Sequence, residues 1–275
     1  MTKIFYFSGT GNTLWSAKHI GVLLAEEIQL FNIGRLMQLP APDASAEKAA
    51  AAGTAAFTTI EAERVIVMFP AYAFGMPHIV RRFLCRFTIN APYIAALVTC
   101  GTSPGGALAE AARVLKRRGR RLSYAAKIPC VENYIPIFGP PPPQTVEKRL
   151  AVQRQVAARA ASEILQAKTC RICTFRPFSA VISALFRVGK RFFVKWFQLG
   201  PECNACGLCA KICPAGAITM PQGKPVFSEK CEHCQACLNW CPQRAISFIR
   251  LKPDTPRYHH PAVKSSDMAA ADSDA

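Results

Sequence analysis

The stretch IFYFSGTGNT, residues 4–13, decides how the first half of this chain folds. Ile4 to Phe7 is an apolar run of strand type, Ser8-Gly9-Thr10-Gly11-Asn12-Thr13 is a glycine-rich turn, and Leu14, Ala17, Ile20 and Leu24 follow at helical spacing. A strand that turns through glycines into a helix N-terminus is suited to hold a phosphate. The glycines let backbone amides converge, the hydroxyls of Ser8, Thr10 and Thr13 donate hydrogen bonds, and the helix end supplies partial positive charge, so no lysine is needed. The loop has no G-K-[ST], which excludes a Walker A, and no third glycine to complete the dinucleotide fingerprint G-x-G-x-x-G. Taken alone, the six turn residues also read as a plain polar βα turn.

Outward from this loop, strand signals recur near Leu30 to Ile33, Arg64 to Phe69, Tyr93 to Thr99 and Leu122 to Ile128, with helices predicted over Pro77 to Phe87 and Gly106 to Arg118. Five strands alternating with helices predict an α/β domain with a doubly wound parallel sheet. Ligands of such sheets sit beyond the carboxyl ends of the strands, at the switch point. Three loops converge there: Ser8 to Thr13, Pro70-Ala71-Tyr72-Ala73-Phe74-Gly75, and Thr99-Cys100-Gly101-Thr102-Ser103-Pro104-Gly105. The last two suit an isoalloxazine ring, because Tyr72 and Phe74 offer flat faces and small residues from Gly101 onward let backbone amides approach a ring edge; either aromatic also fits a core or surface role. Trp15 reads as helix packing, and Ala41 to Ala56 as a flexible surface excursion.

Eight of the thirteen cysteines lie between Cys203 and Cys241, as CNACGLCAKICP and CEHCQACLNWCP, each reading C-x2-C-x2-C-x3-C-P. The runs are an internal repeat with a 28-residue offset: Cys203, Cys206, Cys209 and Cys213 align with Cys231, Cys234, Cys237 and Cys241, Pro214 with Pro242, Ala217 with Ala245, and Ile218 with Ile246. This is the spacing of thiolate ligands to two [4Fe-4S] clusters. Three thiolates in a tight loop cap one face of a cubane, while the fourth iron needs a ligand from another direction, and the prolines turn the chain there. Each fourth cysteine is therefore assigned to the other cluster: Cys203, Cys206, Cys209 and Cys241 to the first, Cys231, Cys234, Cys237 and Cys213 to the second. Two four-cysteine zinc sites and a disulfide scaffold are the alternatives, and neither explains the paired Cys-Pro endings.

At 275 residues there is room for one large domain and one small, and an apolar content of 51% can fill a core. The opening MTKIFYF is a brief strand running into Ser8-Gly9 rather than a signal peptide, so the cysteines read as thiols of a reducing cytosol and a cytoplasmic location is expected. The net charge of +17 is concentrated in the middle: residues 101–200 carry 18 Lys and Arg against 4 acids, whereas residues 1–100 carry 8 against 6 and residues 201–275 carry 8 against 7. A basic surface steers acidic partners and anionic membranes. An acidic redox protein such as a ferredoxin, a flavodoxin or a reductase is the expected partner; no nucleic-acid-binding motif accompanies the charge.

Gly139-Pro140-Pro141-Pro142-Pro143 is a stiff spacer before a predicted helix from Gln144 to Lys168, whose Val146, Leu150, Val152, Val156, Ala160 and Ile164 are expected to pack back on the sheet. Residues 170–198 combine Arg171, Arg176, Arg187, Lys190, Arg191 and Lys195 with Phe175, Phe178, Phe186, Phe192, Phe193, Trp196 and Phe197, without any acid. A helical hairpin clamping two domains together and a segment lying on an anionic membrane both fit; charge interrupts it too often to span a bilayer. The expected division is a flavin domain at 1–168, a basic aromatic connector at 169–198, a cluster domain at 199–252 and a tail at 253–275, disordered from Ser265 to Ala275. Cys85 and Cys130 read as core thiols, Cys170 and Cys173 as packing or exposed thiols or a further metal or redox pair, and His259-His260 as structural or partner-contacting.

IFYFSGTGNT, the FPAYAFGMP loop at 69–77, the VTCGTSPG loop at 98–105 and the paired cysteine runs together resemble the family of flavodoxin-like proteins fused to a C-terminal, bacterial-type two-cluster ferredoxin, and RYHHP at 257–261 resembles a signature that follows the ferredoxin in that family. The likeness covers residues 1–130 and 199–261. It implies a five-stranded flavodoxin-like sheet of order 2-1-3-4-5, a small α+β ferredoxin domain, FMN in the first domain, and electron transfer between flavin and clusters. On the matching positions, Ser8, Thr10, Gly11, Asn12 and Thr13 would hold the phosphate, and the Tyr72/Phe74 and Cys100 to Ser103 loops would flank the ring; Gly9, Pro70, Ala71, Gly75 and Thr99 complete the candidate cofactor site. The chain lacks the acidic surface of ordinary flavodoxins, which implies other partners. The expected function is an electron-transfer protein or oxidoreductase. A non-catalytic iron-sulfur sensor or scaffold with an empty flavodoxin-like pocket is the alternative from a different class, and a flavin reductase acting on a small substrate is a third.

Overall fold

The computed structural model describes residues 1–40, 59–172, 177–249, 251–252, 254–269 and 273–274. The excursion expected at 41–56, together with Cys173, Phe175 and Arg176, lies outside the described residues. The first domain runs β1 (Thr2–Tyr6), α1 (Asn12–Leu24), β2 (Ile28–Asn32), β3 (Arg64–Pro70), α2 (His78–Arg86), β4 (Tyr93–Cys100), α3 (Ala107–Arg117), β5 (Tyr124–Pro129) and α4 (Pro143–Leu165). The five strands pair in parallel in the order 2-1-3-4-5, Ile4 of β1 standing between Leu30 of β2 and Ile66 of β3. This is the flavodoxin-like order of a doubly wound sheet.

Both faces of the sheet are covered, which is why its strands read as unbroken apolar runs rather than alternating ones. Ile4, Ile66 and Leu97 pack on one side with Leu14 and Ile20 of α1 and Ala157 and Ile164 of α4. Phe5, Phe7, Val67 and Phe69 pack on the other with Phe83 of α2 and Val114 of α3. Each such phenylalanine, fully buried, contributes about 1.5–3 kcal/mol. In α4 the predicted stripe shifts: Val152 is exposed, and the polar Gln153 is buried instead. A short parallel pair, Thr59–Glu61 with Thr88–Asn90, was too brief to be read from sequence.

Among its described residues the connector contributes one α-helix, α5 (Pro177–Phe193), ending in a 3-10 turn at Val194–Trp196, in place of the expected hairpin. The strand that follows it, Phe197–Leu199, pairs antiparallel with Ile246–Phe248 at the far end of the cysteine module, while Ile218–Thr219 pairs with Val226–Phe227. The two halves thus close by exchanging strands. Their backbone repeats too: positive φ occurs at Ala205 (60°), Gly207 (72°) and Gly216 (56°), and 28 residues later at His233 (52°), Gln235 (58°) and Arg244 (51°).

Two other expectations are corrected. Cys85 is an exposed thiol on α2, not a core residue. At the end expected to be disordered, the described residues are ordered: Ser265–Ala269 is helical with Met268 buried, and Ser273–Asp274 pairs antiparallel with β2. Both features depend on surfaces far away in sequence. Among the described residues no helix is long and apolar enough to cross a membrane.

Candidate functional site at the sheet edge and cysteine module

Gly11 (φ 92°) caps α1, whose first turn carries no acidic residue, so the positive end of the helix faces a small hollow. The hollow is lined by Ser8, Gly9, Thr10, Asn12 and Thr13, by Pro70, Ala71 and Tyr72, by Thr99, Cys100 and Gly101, and by Cys130 to Asn133. Ser8 Oγ is buried there without a hydrogen-bond partner. An anion's oxygen would satisfy it, and the hollow fits a phosphate in that respect. The other polar groups are held in place: Thr13 Oγ1 lies 2.7 Å from Thr99 Oγ1, Asn133 donates to Thr10 Oγ1, and Asn12 donates to the Val131 carbonyl at 3.1 Å. Below them the buried Gln153 donates to the Asn12 carbonyl and to Ser16 Oγ, both at 3.0 Å, tying α4 to the start of α1.

Two of the candidate glycines are also approached closely by other parts of the chain. A side chain at Gly11 would meet His260 and Val263 of the tail at 3.1 Å, and one at Gly75 would run into Ser183 of α5.

The hollow opens into a larger cavity of about 400 Å³. Tyr72, Phe74, Cys100 to Ser103, Tyr134, Ile137 and Phe138 line it from the first domain, and Phe186, Phe193, Trp196, His233 and Phe248 from the connector and cysteine module. Phe74 reaches the cavity from a tight turn in which Tyr72 and Gly75 exchange backbone hydrogen bonds of 3.0 and 2.9 Å, with Ala73 (φ 44°) and Phe74 (φ 60°) both left-handed. Non-glycine residues in that region cost about 1–2 kcal/mol each, and such strain collects at working sites. Tyr72 has another position: its hydroxyl, buried and unpartnered, lies by the phosphate-type loop. Burial pushes the Cys100 thiol up to about 11, leaving it protonated at neutral pH.

None of the twelve described cysteines is joined in a disulfide. Cys203, Cys206, Cys209 and Cys241 line one hollow. Cys213, Cys231, Cys234 and Cys237 lie within electrostatic reach of one another, and Cys237 lies within reach of Cys209 of the first hollow as well. Among the described residues no three His, Cys, Asp or Glu side chains crowd together as one metal ion requires; a cubane, with its ligands on four separate irons, spreads them wider. Backbone amides of Ala217 and His233 donate to Cys213 Sγ and Cys231 Sγ at 3.3 Å. Cys234 and Cys237 are buried and Cys206 is exposed, so the two quartets lie at different depths.

The deeper quartet abuts the sheet edge. A Cβ at Gly9 would be 2.6 Å from the Cys234 carbonyl oxygen, and Trp240 Nε1 donates to the Gly9 carbonyl at 3.2 Å. Glu232, between two of the cysteines, accepts the His78 and Ile79 amides at 3.0 and 3.1 Å, capping α2 of the first domain, and holds Lys190 of α5 at 2.7 Å. The tail completes the joint: Tyr258 donates to Asn12 Oδ1 at 2.8 Å, the His260 amide donates to the Thr10 carbonyl at 2.8 Å, and His259 and His260 stack on Trp240 and Trp15. Both histidines therefore have packing roles. None of the tail and cysteine-module contacts has a local sequence signal. The Glu132-Asn133 corner does, since polar residues follow β5 just past Cys130 and Val131, at the ligand-bearing end of the sheet.

Burial holds His260 down at about 4, well below 6.5, with the charges of His259 and Arg154 adding to it. Between those values the unfolded chain binds a proton here and the folded chain does not, so stability is lost as pH falls from 6.5 towards 4, by up to about 3 kcal/mol. Thermal unfolding midpoints at pH 7 and pH 5 should differ in the native chain, and the difference should shrink in His260→Gln. An unchanged pH profile in that variant would refute this role.

Residues 202–246 match the 4Fe-4S dicluster domain family. A flavodoxin-like sheet is thus joined to an iron-sulfur dicluster module. No curated protein is significantly similar to the chain. Among solved structures, a flavodoxin from the domain Archaea is similar over 59% of this chain and 99% of its own, at 15% identity and TM-score 0.30. A flavone reductase is similar over 86% of each chain, at 13% identity and TM-score 0.37. The Trp repressor binding protein of Bacillus subtilis is similar over 59% of this chain and 97% of its own, at 14% identity and TM-score 0.31. Strand order and register, rather than these similarities, define the fold. The match over 202–246 gives the cysteine module the iron-sulfur character of that family, and the strand order gives the first domain its flavodoxin-like fold.

Proposed function

We propose that the chain passes electrons between an FMN held at the sheet edge and two [4Fe-4S] clusters held by Cys203, Cys206, Cys209, Cys241 and by Cys231, Cys234, Cys237, Cys213, and on to a redox partner. When bound, a flavin exchanges one or two electrons and a cluster one, so the set can split or collect electron pairs. The observation that supports this reading is the close approach of Gly9 to Cys234, where a Cβ on the glycine would stand 2.6 Å from the Cys234 carbonyl oxygen, so the phosphate-type loop packs against the run that would hold the deeper cluster. Ser8, Thr10 and the α1 terminus would bind the phosphate; Phe74 and the Cys100 to Ser103 backbone would orient the ring; Phe186, Phe193, Trp196 and Phe248 would exclude water. The amides on Cys213 and Cys231 stabilise negative charge on sulfur. The outer quartet, with exposed Cys206, is the natural exit to a partner, and the chain's cationic excess suits an acidic redox protein. The thiol-rich runs suit a reducing cytoplasm.

Flavin quantitation on the anaerobically reconstituted chain tests the reading. Ser8→Ala with Thr10→Ala is expected to weaken FMN binding by about 10–100-fold, the equivalent of one or two lost hydrogen bonds to a charged group, while iron content stays constant. A chain that takes up iron and sulfide but no flavin would favour the sensor or scaffold reading.

A further inference from the structure

Helix α5 turns Ser183, Arg187 and Lys190 inward, beside Phe186 and Phe193 at the cavity, and leaves an apolar stripe facing outward. Arg187 donates to Glu110 at 2.7 Å and Lys190 to Glu232 at 2.7 Å, and Ser183 and both carboxylates are buried with them. On the opposite face Phe178, Val181, Leu185, Val188 and Phe192 recur at three- and four-residue steps, the spacing of one helical stripe, and are between 55% and 78% exposed. A helix on a water-facing surface normally shows the reverse arrangement. A contiguous apolar stripe of this kind marks a contact with something other than water. Trp196, also exposed, borders both the end of the stripe and the large cavity, where Ile137 and Phe138 are exposed as well.

The charges around the stripe select its occupant. Arg191 and Lys195 are exposed beside it, the Arg191 guanidinium lying 4.8 Å over the Phe192 ring, and no acidic residue occurs between Glu163 and Glu202. A second copy of the chain would bring these cations together with no carboxylate to meet them. We propose that this face of α5 docks on an anionic lipid bilayer, its aromatic and aliphatic side chains entering the headgroup-acyl boundary while Arg191 and Lys195 meet lipid phosphates. The mouth of the large cavity would then lie at the membrane surface.

Flotation of the purified full chain with vesicles tests this, using phosphatidylcholine alone and phosphatidylcholine with about one-third phosphatidylglycerol. The expected result is binding to the anionic vesicles about tenfold or more tighter than to the neutral ones, weakened by added salt. Leu185→Glu with Val188→Glu should lower it by at least about tenfold, with far-ultraviolet dichroism unchanged; both positions are exposed, so folding is spared. Equal binding to the two vesicle types, or none to the anionic one, would overturn the proposal. So would a sedimenting dimer that the double variant dissociates.

Discussion

Cys213→Ala is expected to remove roughly half of the cluster iron and to perturb the flavin pocket, although Cys213 belongs to the run whose other three cysteines lie in the outer quartet. Its thiol stands with Cys231, Cys234 and Cys237. Cys213→Ala should therefore resemble Cys234→Ala, the deeper site failing in both. Cys241→Ala should resemble Cys203→Ala, because Cys241 completes the outer hollow. Iron and sulfide analysis gives the count. Paramagnetic resonance of the reduced protein gives the pairing, since magnetic coupling between the clusters vanishes in all four variants and flavin absorbance shifts in only two. If Cys213→Ala instead matched Cys203→Ala, each run would hold its own cluster and the interleaved assignment would fall.

The second large effect is expected at Gly9. A methyl group there would stand 2.6 Å from the Cys234 carbonyl oxygen and 2.9 Å from its Cβ, and the obstacle is backbone rather than the tip of a flexible side chain. Either the loop or the cysteine run must move, also weakening the Trp240 hydrogen bond to Gly9. Overpacking of this kind costs about 1–3 kcal/mol, which for a chain of this size lowers the unfolding midpoint by several degrees. Gly9→Ala should lose flavin affinity and give up iron faster to a chelator, both at once, because one backbone segment serves both sites. Gly21→Ala is the control: in the interior of α1, where the new methyl makes only ordinary contacts from 3.5 Å outward, it should be neutral or mildly stabilising. A Gly9→Ala chain with native midpoint and native flavin affinity would show that the modules do not meet at this point.

The sheet was legible from sequence because each strand carries its own signal. Ile4 to Phe7, Arg64 to Phe69 and Tyr93 to Thr99 are apolar runs closed by turn residues, and the loops after them had to gather at one edge once the strands were parallel. The cysteine repeat was legible for the same reason, as local spacing. What escaped were contacts made by residues without such a signal. Glu232 reads as an ordinary surface acid between two cysteines, yet it caps a helix of the other domain. Gln153 reads as the polar side of α4, yet it is buried under the phosphate-type loop. Gly11 and Gly75 carry their candidate roles through loop position, and the close approach of the tail and of α5 to them has no local pattern. Ser265 to Ala269 looked too small and polar to fold, and is held by the tertiary burial of Met268.

Tyr258 and His260, at the far end of the cysteine module, fasten the loop that begins at Ser8. During translation that loop leaves the ribosome early and its partners late, so the sheet can form while its upper edge stays bare. The missing wall arrives only when the cysteine module folds, and small modules of this type fold around their metal. Flavin capture would then follow the supply of iron: a starved cell would accumulate half-built chains, and restoring iron would let them load both cofactors without new synthesis.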